Sequence, residues 1–250
     1  MTSTTKKDGS RTYSVPDADG NLIDLPSVTT ILRIVNKPAL IYWAANSVAN
    51  YALDNLDTIN ELMGVLGEDG DRDGAYRLLK GSPWSHRDRA ANVGSSVHDS
   101  IEKMILGQDV DVPIYAQPFV DAWGEFIRDY NGTFEASEMT VYSLTHGYAG
   151  TCDALMKYGD RLGVTDWKTR AGKKAASQSA YETELLQVAA YAKAEFALLP
   201  DGSSERLPQI DGGSVVMLCP DGYAITKIDM ERDFAGFLAA KELFDWRASI

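Results

Sequence analysis

The sequence predicts an α/β protein, with a mixed central β-sheet flanked by helices and a mainly helical amino-terminal half. Three observations carry this expectation. Apolar residues recur at helical spacing from Val28 to Tyr130, short strand-like runs take over after Gly132, and a helical stretch around Gln187 separates these runs from a last strand pair.

The elements follow in chain order. Residues 1–11 (MTSTTKKDGSR) are polar and are expected to form a frayed tail, leaving 12–250 as one domain. Within it, 12–83 forms a mainly helical subregion and 84–250 the core. Tyr13–Val15 and Asn21–Leu25 flank Pro16-Asp17-Ala18-Asp19-Gly20, the pattern of a small hairpin. Ser27 stands where an N-cap belongs, ahead of Val28, Ile31, Leu32 and Val35 at helical spacing. From Pro38 to about Leu66 the spacing stays helical, with Leu40, Trp43, Ala44, Val48, Tyr51 and Ala52 as its apolar stripe. Gly67 to Gly74 reads as a loop, and Tyr76–Lys80 as a short helix stopped by Gly81-Ser82-Pro83. A long helix is expected from Trp84 to Leu106 on the stripe Ala90, Val93, Val97, Ile101 and Ile105. The next, Ala116 to Tyr130, carries Phe119, Val120, Trp123 and Phe126. Glu138–Leu144, Tyr148–Tyr158 and Gly163–Thr169 read as consecutive strands, the last two joined at Gly159-Asp160. A helix from Ala180 to Leu199, strands at Ser214–Leu218 and Ala224–Ile228, and a helix from Phe234 to Trp246 complete the series.

Composition removes several function classes. The 24 Lys and Arg against 36 Asp and Glu give a net charge of −12, which argues against a surface coated in positive charge for indiscriminate nucleic-acid binding and leaves room for a local basic groove. The two cysteines, Cys152 and Cys219, cannot build a disulfide framework, a four-cysteine zinc site or a cysteine-ligated iron–sulfur cluster. His86, His98 and His146 lack the spacing of a zinc protease. No apolar run is long enough to span a membrane, and the polar amino terminus lacks the apolar core of a signal peptide, so an intracellular, cytoplasmic protein is expected. The charge is uneven. Asp54–Asp73 holds seven acids and one arginine and reads as a solvated face. Asp166–Lys174 holds Lys168, Arg170, Lys173 and Lys174 against one acid, and its place beside the motifs below favours phosphate binding.

The chemistry concentrates in Gly150-Thr-Cys-Asp153 and Gly163-Val-Thr-Asp166-Trp-Lys168-Thr. Residues two apart on a strand share a face, so Asp166 and Lys168 project together while Trp167 points away to pack under a helix. A hairpin brings Asp153 alongside Asp166. Two carboxylates so close repel unless protonated or bridged by a cation, and oxygen ligands in an incomplete shell suit Mg²⁺ or Mn²⁺. Lys168 adds a fixed cation able to position a water and stabilise charge on a phosphate. A surface Asp–Lys pair is the commoner meaning of Asp-x-Lys alone. His98, one helical turn after Gly94, by itself reads more often as a packed core residue. Gln187 and Tyr191, at i and i+4, share one helix face.

Gly94-x-x-x-His98, Gly150-x-x-Asp153, Asp166-x-Lys168-Thr169 and Gln187-x-x-x-Tyr191 fall in that order on a helix, two strands and a helix. In this they resemble the PD-(D/E)XK nuclease superfamily, the branch of RecB-type nuclease domains and many phage exonucleases, whose fold has a restriction-endonuclease-like core. The resemblance spans about two fifths of the chain. It implies a Mg²⁺- or Mn²⁺-dependent deoxyribonuclease acting on DNA, most readily an exonuclease in recombination, repair or phage DNA processing. His98, Asp153, Asp166 and the backbone carbonyl of Trp167 would be metal ligands, with Lys168 at the attacking water. Gln187 and Tyr191 would position DNA, with Arg170, Lys173 and Lys174 as substrate-binding cations, helped by Arg87 and Arg89 at the mouth. Glu102 and Glu138 would stand behind the ligands. A recombination partner, such as a single-strand annealing protein, is a further expectation, as is the absence of an iron–sulfur cluster. The competing reading is an inactive module of the same fold that binds DNA or a protein. Every motif position is filled, which weighs against it.

Overall fold

The computed structural model describes residues 3–64, 70–171 and 174–250. Contacts group the chain into two compact units, one formed by Met1–Val35 with Ser96–Ile250, the other by Asn36–Ser95.

The first unit holds a small antiparallel sheet and a seven-stranded mixed sheet. Strands β1 (Ser3–Thr5), β2 (Arg11–Pro16) and β3 (Leu22–Pro26) form the small one in that order. The turn between β2 and β3 is closed by Asp17, whose Oδ1 accepts the backbone N–H groups of Asp19 and Asn21. Residues 3–5, expected in a frayed tail, pair with β2 in register from Ser3↔Tyr13 to Thr5↔Arg11. Their side chains are exposed, so backbone bonding along the open edge of β2 holds them. Ser27 caps α1 (Val28–Ile31), its Oγ accepting the Thr30 N–H.

The large sheet has the order β10-β9-β6-β5-β4-β7-β8. It comprises β4 (Thr133–Ser143), β5 (Tyr148–Tyr158), β6 (Arg161–Thr169), β7 (Phe196–Leu198), β8 (Ser204–Arg206), β9 (Gly212–Cys219) and β10 (Gly222–Lys227). Every pairing is antiparallel except β6 with β9. Helices α5 (Gln117–Tyr130), α6 (Glu182–Ala192) and α7 (Met230–Ala248) flank it, α5 packing on β9 and β10 and α6 on β5, β6 and β9. This is the predicted architecture, a mixed sheet flanked by helices, consistent with a restriction-endonuclease-like core. The main hydrophobic cluster joins Val28, Ile31 and Leu32 to Val164, Val188, Val215, Met217 and Phe237.

The second unit contains α2 (Ala39–Asp54), α3 (Leu56–Leu62) and the first part of α4 (Arg72–Ile105). Further expectations needed correction. The apolar stripe of α2 is only partly covered: Leu40 and Trp43 are exposed, Ala44, Val48, Tyr51 and Ala52 are half-buried, and Ser47 is the one buried residue of that helix. A small unit has little interior to offer. Gly81-Ser82-Pro83 does not stop a helix. Pro83 removes the N–H that would reach the Leu79 carbonyl, but the Ser82 Oγ donates to that carbonyl at 2.9 Å, and α4 continues. Finally, the helix expected to reach Leu199 ends at Ala192. The open edge of β4 captures the next residues as β7, where Phe196 stacks on Tyr142 at 5.2 Å. The expected loop at 67–74 lies partly outside the described residues.

Candidate active site

Strand register generates a row of carboxylates. The β4–β5 pairs Ser137↔Ala154 and Met139↔Cys152 bracket Glu138 opposite Asp153. The β5–β6 ladder runs from Tyr158↔Arg161 to Ala154↔Thr165, so the next position would set Asp153 opposite Asp166. There the ladder stops, and the Trp167 N–H donates instead to the Asp153 Oδ2 at 2.7 Å. The separated strands admit side chains from two helices. From α4, His98 sets its Nε2 3.0 Å from the Trp167 carbonyl oxygen and its Nδ1 3.5 Å from the Asp153 Oδ2. From α6, the Gln187 amide donates to the Asp166 Oδ1 at 3.0 Å and to the Tyr191 hydroxyl at 3.1 Å.

Alternation along β6 behaves as expected. Lys168 Nζ lies 2.5 Å from the Asp166 Oδ2 on one face, at an angle that leaves that buried oxygen without a directional hydrogen bond. Trp167, 1% exposed, lies on the other face with its ring edge-on to Trp123 at 6.5 Å and Phe126 at 5.5 Å, both on α5. Gly150 is required by Tyr191: a Cβ there would run into the Tyr191 ring.

Burial dominates the electrostatics. It pushes Asp166 up to about 6, with Lys168 opposing and the Asp153 charge adding. It pushes Glu138 up to about 7, assisted by the charge of Asp153. Asp153 stays below its ordinary value because His98, Lys168 and the Trp167 N–H outweigh its desolvation. Lys168 is held above its usual value, since Asp166 and Asp153 overcome the same penalty. His98 is likewise raised, burial being outweighed by Asp153. For Tyr191, burial and Asp166 act together and keep the hydroxyl protonated.

The donor set fits a divalent cation. Ligand atoms of His98, Glu138 and Asp153 all lie within 4.8 Å of one another, and the Asp166 Oδ2 is a buried carboxylate oxygen with no directional donor. Carboxylate and carbonyl oxygens with an imidazole nitrogen suit a divalent metal ion.

The expected substrate cations are placed differently. Arg170 Nη2 donates to both carboxylate oxygens of Glu184 at 2.7 Å, and its guanidinium lies 4.6 Å from the centre of the Tyr181 ring. It joins the end of β6 to the first turn of α6. Lys174 is exposed beside a short 3-10 turn at Ala175–Ser177, and Lys173 lies outside the described residues. Arg87 and Arg89 belong to the Asn36–Ser95 unit, where Arg87 pairs with Asp88 at 2.7 Å. Sequence reasoning missed Glu184. An acid in a helix's first turn reads as a cap, and Glu184 is one, accepting the Tyr181 N–H at 2.9 Å, which hides its ion pair.

This architecture and donor set define a mixed α/β protein with a buried, oxygen-rich site fit for a divalent cation. No protein-family profile matches the chain. Over 102 residues, 39% of its length, it is 29% identical to human mitochondrial genome maintenance exonuclease 1, and this match spans 29% of that protein. Among solved structures it is similar to an alkaline exonuclease from Laribacter hongkongensis, at 13% identity and TM-score 0.31, over 64% of this chain and 89% of that one. It is also similar to SSO0001, at 17% identity and TM-score 0.29, over 51% and 56% of the two chains.

Proposed function

We propose that the protein is a divalent-metal-dependent deoxyribonuclease, an exonuclease of the PD-(D/E)XK type, acting on DNA in recombination, repair or phage DNA processing. The observation that carries this reading is the convergence of His98, Asp153, Asp166, Lys168 and Gln187 at the place where the β5–β6 ladder opens. Similarity to an exonuclease over 39% of the chain supports it. Among the described residues no helix is long and apolar enough to cross a membrane. The reading treats 12–250 as one nuclease domain in the cytoplasm, working with a recombination partner such as an annealing protein.

His98, Asp153, Asp166 and the Trp167 carbonyl would hold Mg²⁺ or Mn²⁺. A bound cation of this kind supplies Lewis acidity to a phosphate oxygen and lowers the pKa of water. The chain's residues do the rest. Lys168, kept charged by Asp166 and Asp153, orients the attacking water and stabilises negative charge on the phosphate. Gln187 fixes Asp166 by its amide and is itself fixed by Tyr191, so the carboxylate is aimed before substrate arrives. Arg170 holds α6 against β6 through Glu184, keeping that alignment. Lys173 and Lys174 would meet the DNA backbone.

The test uses end-labelled linear DNA beside circular DNA, with Mg²⁺, Mn²⁺ or EDTA, for the native protein and Lys168→Ala. Metal-dependent loss of linear DNA alone, reduced at least a hundredfold in the variant, is expected, a Lys contact to transition-state charge being worth roughly this much. Intact DNA under every metal, from folded protein, would instead favour a binding module.

A further inference from the structure

Glu138 has a backbone that a glutamate rarely adopts. Its φ is +47°, the left-handed region, in the middle of β4. Glycine or asparagine would sit there with less strain. The neighbouring pairs Ser137↔Ala154 and Met139↔Cys152 keep one register, so this distortion inserts no residue. The register shift of β4 lies elsewhere, between Phe134 and Ala136. Strain without a bulge calls for another cause, and such strain concentrates where a side chain is being aimed. The Glu138 carboxylate has a ligand atom within 4.8 Å of those of both His98 and Asp153.

The other carboxylate of the row is held by the chain through one oxygen. Asp166 is gripped by Gln187 on one oxygen and faced by Lys168 on the other. The trio of His98, Glu138 and Asp153 is the one group of His, Cys, Asp and Glu ligand atoms this tightly gathered among the described residues. We propose that Glu138 is a direct ligand of the divalent cation, bonded alongside His98 and Asp153, and that its left-handed backbone is what brings the carboxylate of β4 into the site. This rests on the reading of the site as a metal centre. It gives Glu138 a place in the inner coordination sphere that the motif order would not assign.

The experiment is Mn²⁺ binding, followed by electron paramagnetic resonance of the free ion and by calorimetry, with thermal unfolding in EDTA as the control of fold. Native protein, Glu138→Gln, Glu138→Gly and Lys168→Ala are compared. Both Glu138 variants are expected to weaken Mn²⁺ more than a hundredfold, beyond the roughly 10–100-fold that a lost outer partner costs. Glycine relieves the left-handed backbone, so Glu138→Gly should unfold in EDTA no earlier than the native protein while binding the ion poorly. Lys168→Ala should keep its Mn²⁺ affinity within a few-fold. A loss of Mn²⁺ affinity no larger than about a hundredfold in Glu138→Gly overturns the proposal, as does a native protein that binds no Mn²⁺. Glu138-dependent Mn²⁺ binding in a native protein that leaves all DNA intact would refute the nuclease reading and leave this assignment standing.

Discussion

Glu195 shows how one side chain can organise a turn. Its carboxylate accepts the Ser143 Oγ at 3.0 Å, the Thr145 N–H at 2.9 Å and the Thr145 Oγ1 at 2.6 Å, tying the β4–β5 connection to the segment before β7. Partial burial alone would raise its pKa, but these donors hold it below the ordinary 4.5. A carboxyl depressed in the folded state contributes stability above its unfolded value and loses it as pH falls through the folded one. Urea midpoints should therefore drop as pH is lowered from about 4.5, and Glu195→Gln should flatten that drop. Equal slopes for the two proteins would show that the bonds contribute nothing. At the same scale, strand alternation set Asp166 and Lys168 on one face and a hairpin set Asp153 beside them, whereas His98 joined them only through the motif order; the structure brings the four together. Glu138 was harder to place. Its role depends on which strand lies beside β5 and on a left-handed φ, and neither is written in local sequence.

Among the elements, the junction of β6 with α6 matters most to the site. Arg170 and Glu184 are 15% and 11% exposed, so removing either partner leaves a mostly buried charge alone. Arg170→Ala and Glu184→Gln should each destabilise by roughly 2–4 kcal/mol, and the double variant should fall well short of their sum. A double-mutant cycle from urea denaturation measures this, and additive losses would mean that the two side chains act separately. Arg170 was expected to touch substrate because it lies within a basic run. Charge patterning reports composition but not partners, and the acid that claims Arg170 lies 14 residues on, in another element. The same limit explains the helices. Alanine-rich spacing carried the expected helix to Leu199, whereas the vacant edge of β4 decided otherwise. Pro83 reads as a stop until the Ser82 hydroxyl is seen to satisfy the carbonyl left over.

On the scale of the molecule, the first unit is discontinuous in sequence. Val28 and Ile31 are fully buried and Leu32 is 4% exposed, all in one cluster with residues of β6, β9, α6 and α7. The segment around α1 therefore belongs to the core of the sheet carrying the site. A chain beginning at Ser96 would lack these three buried aliphatic side chains among others, each worth about 2–5 kcal/mol by the usual loss on truncation. That sum is comparable to the whole margin of most domains. Such a chain should show no cooperative unfolding in urea by circular dichroism. A sharp transition would mean that the remaining strands and helices form a self-sufficient core.

Trp167 joins two jobs in a single residue. Its backbone N–H and carbonyl meet Asp153 and His98, while its indole is locked between Trp123 and Phe126 on the far side of the sheet. A genetic screen for inactive alleles would thus recover lesions in that aromatic layer as readily as in the carboxylates. Their position would resemble a folding defect, and their phenotype would belong to the chemistry.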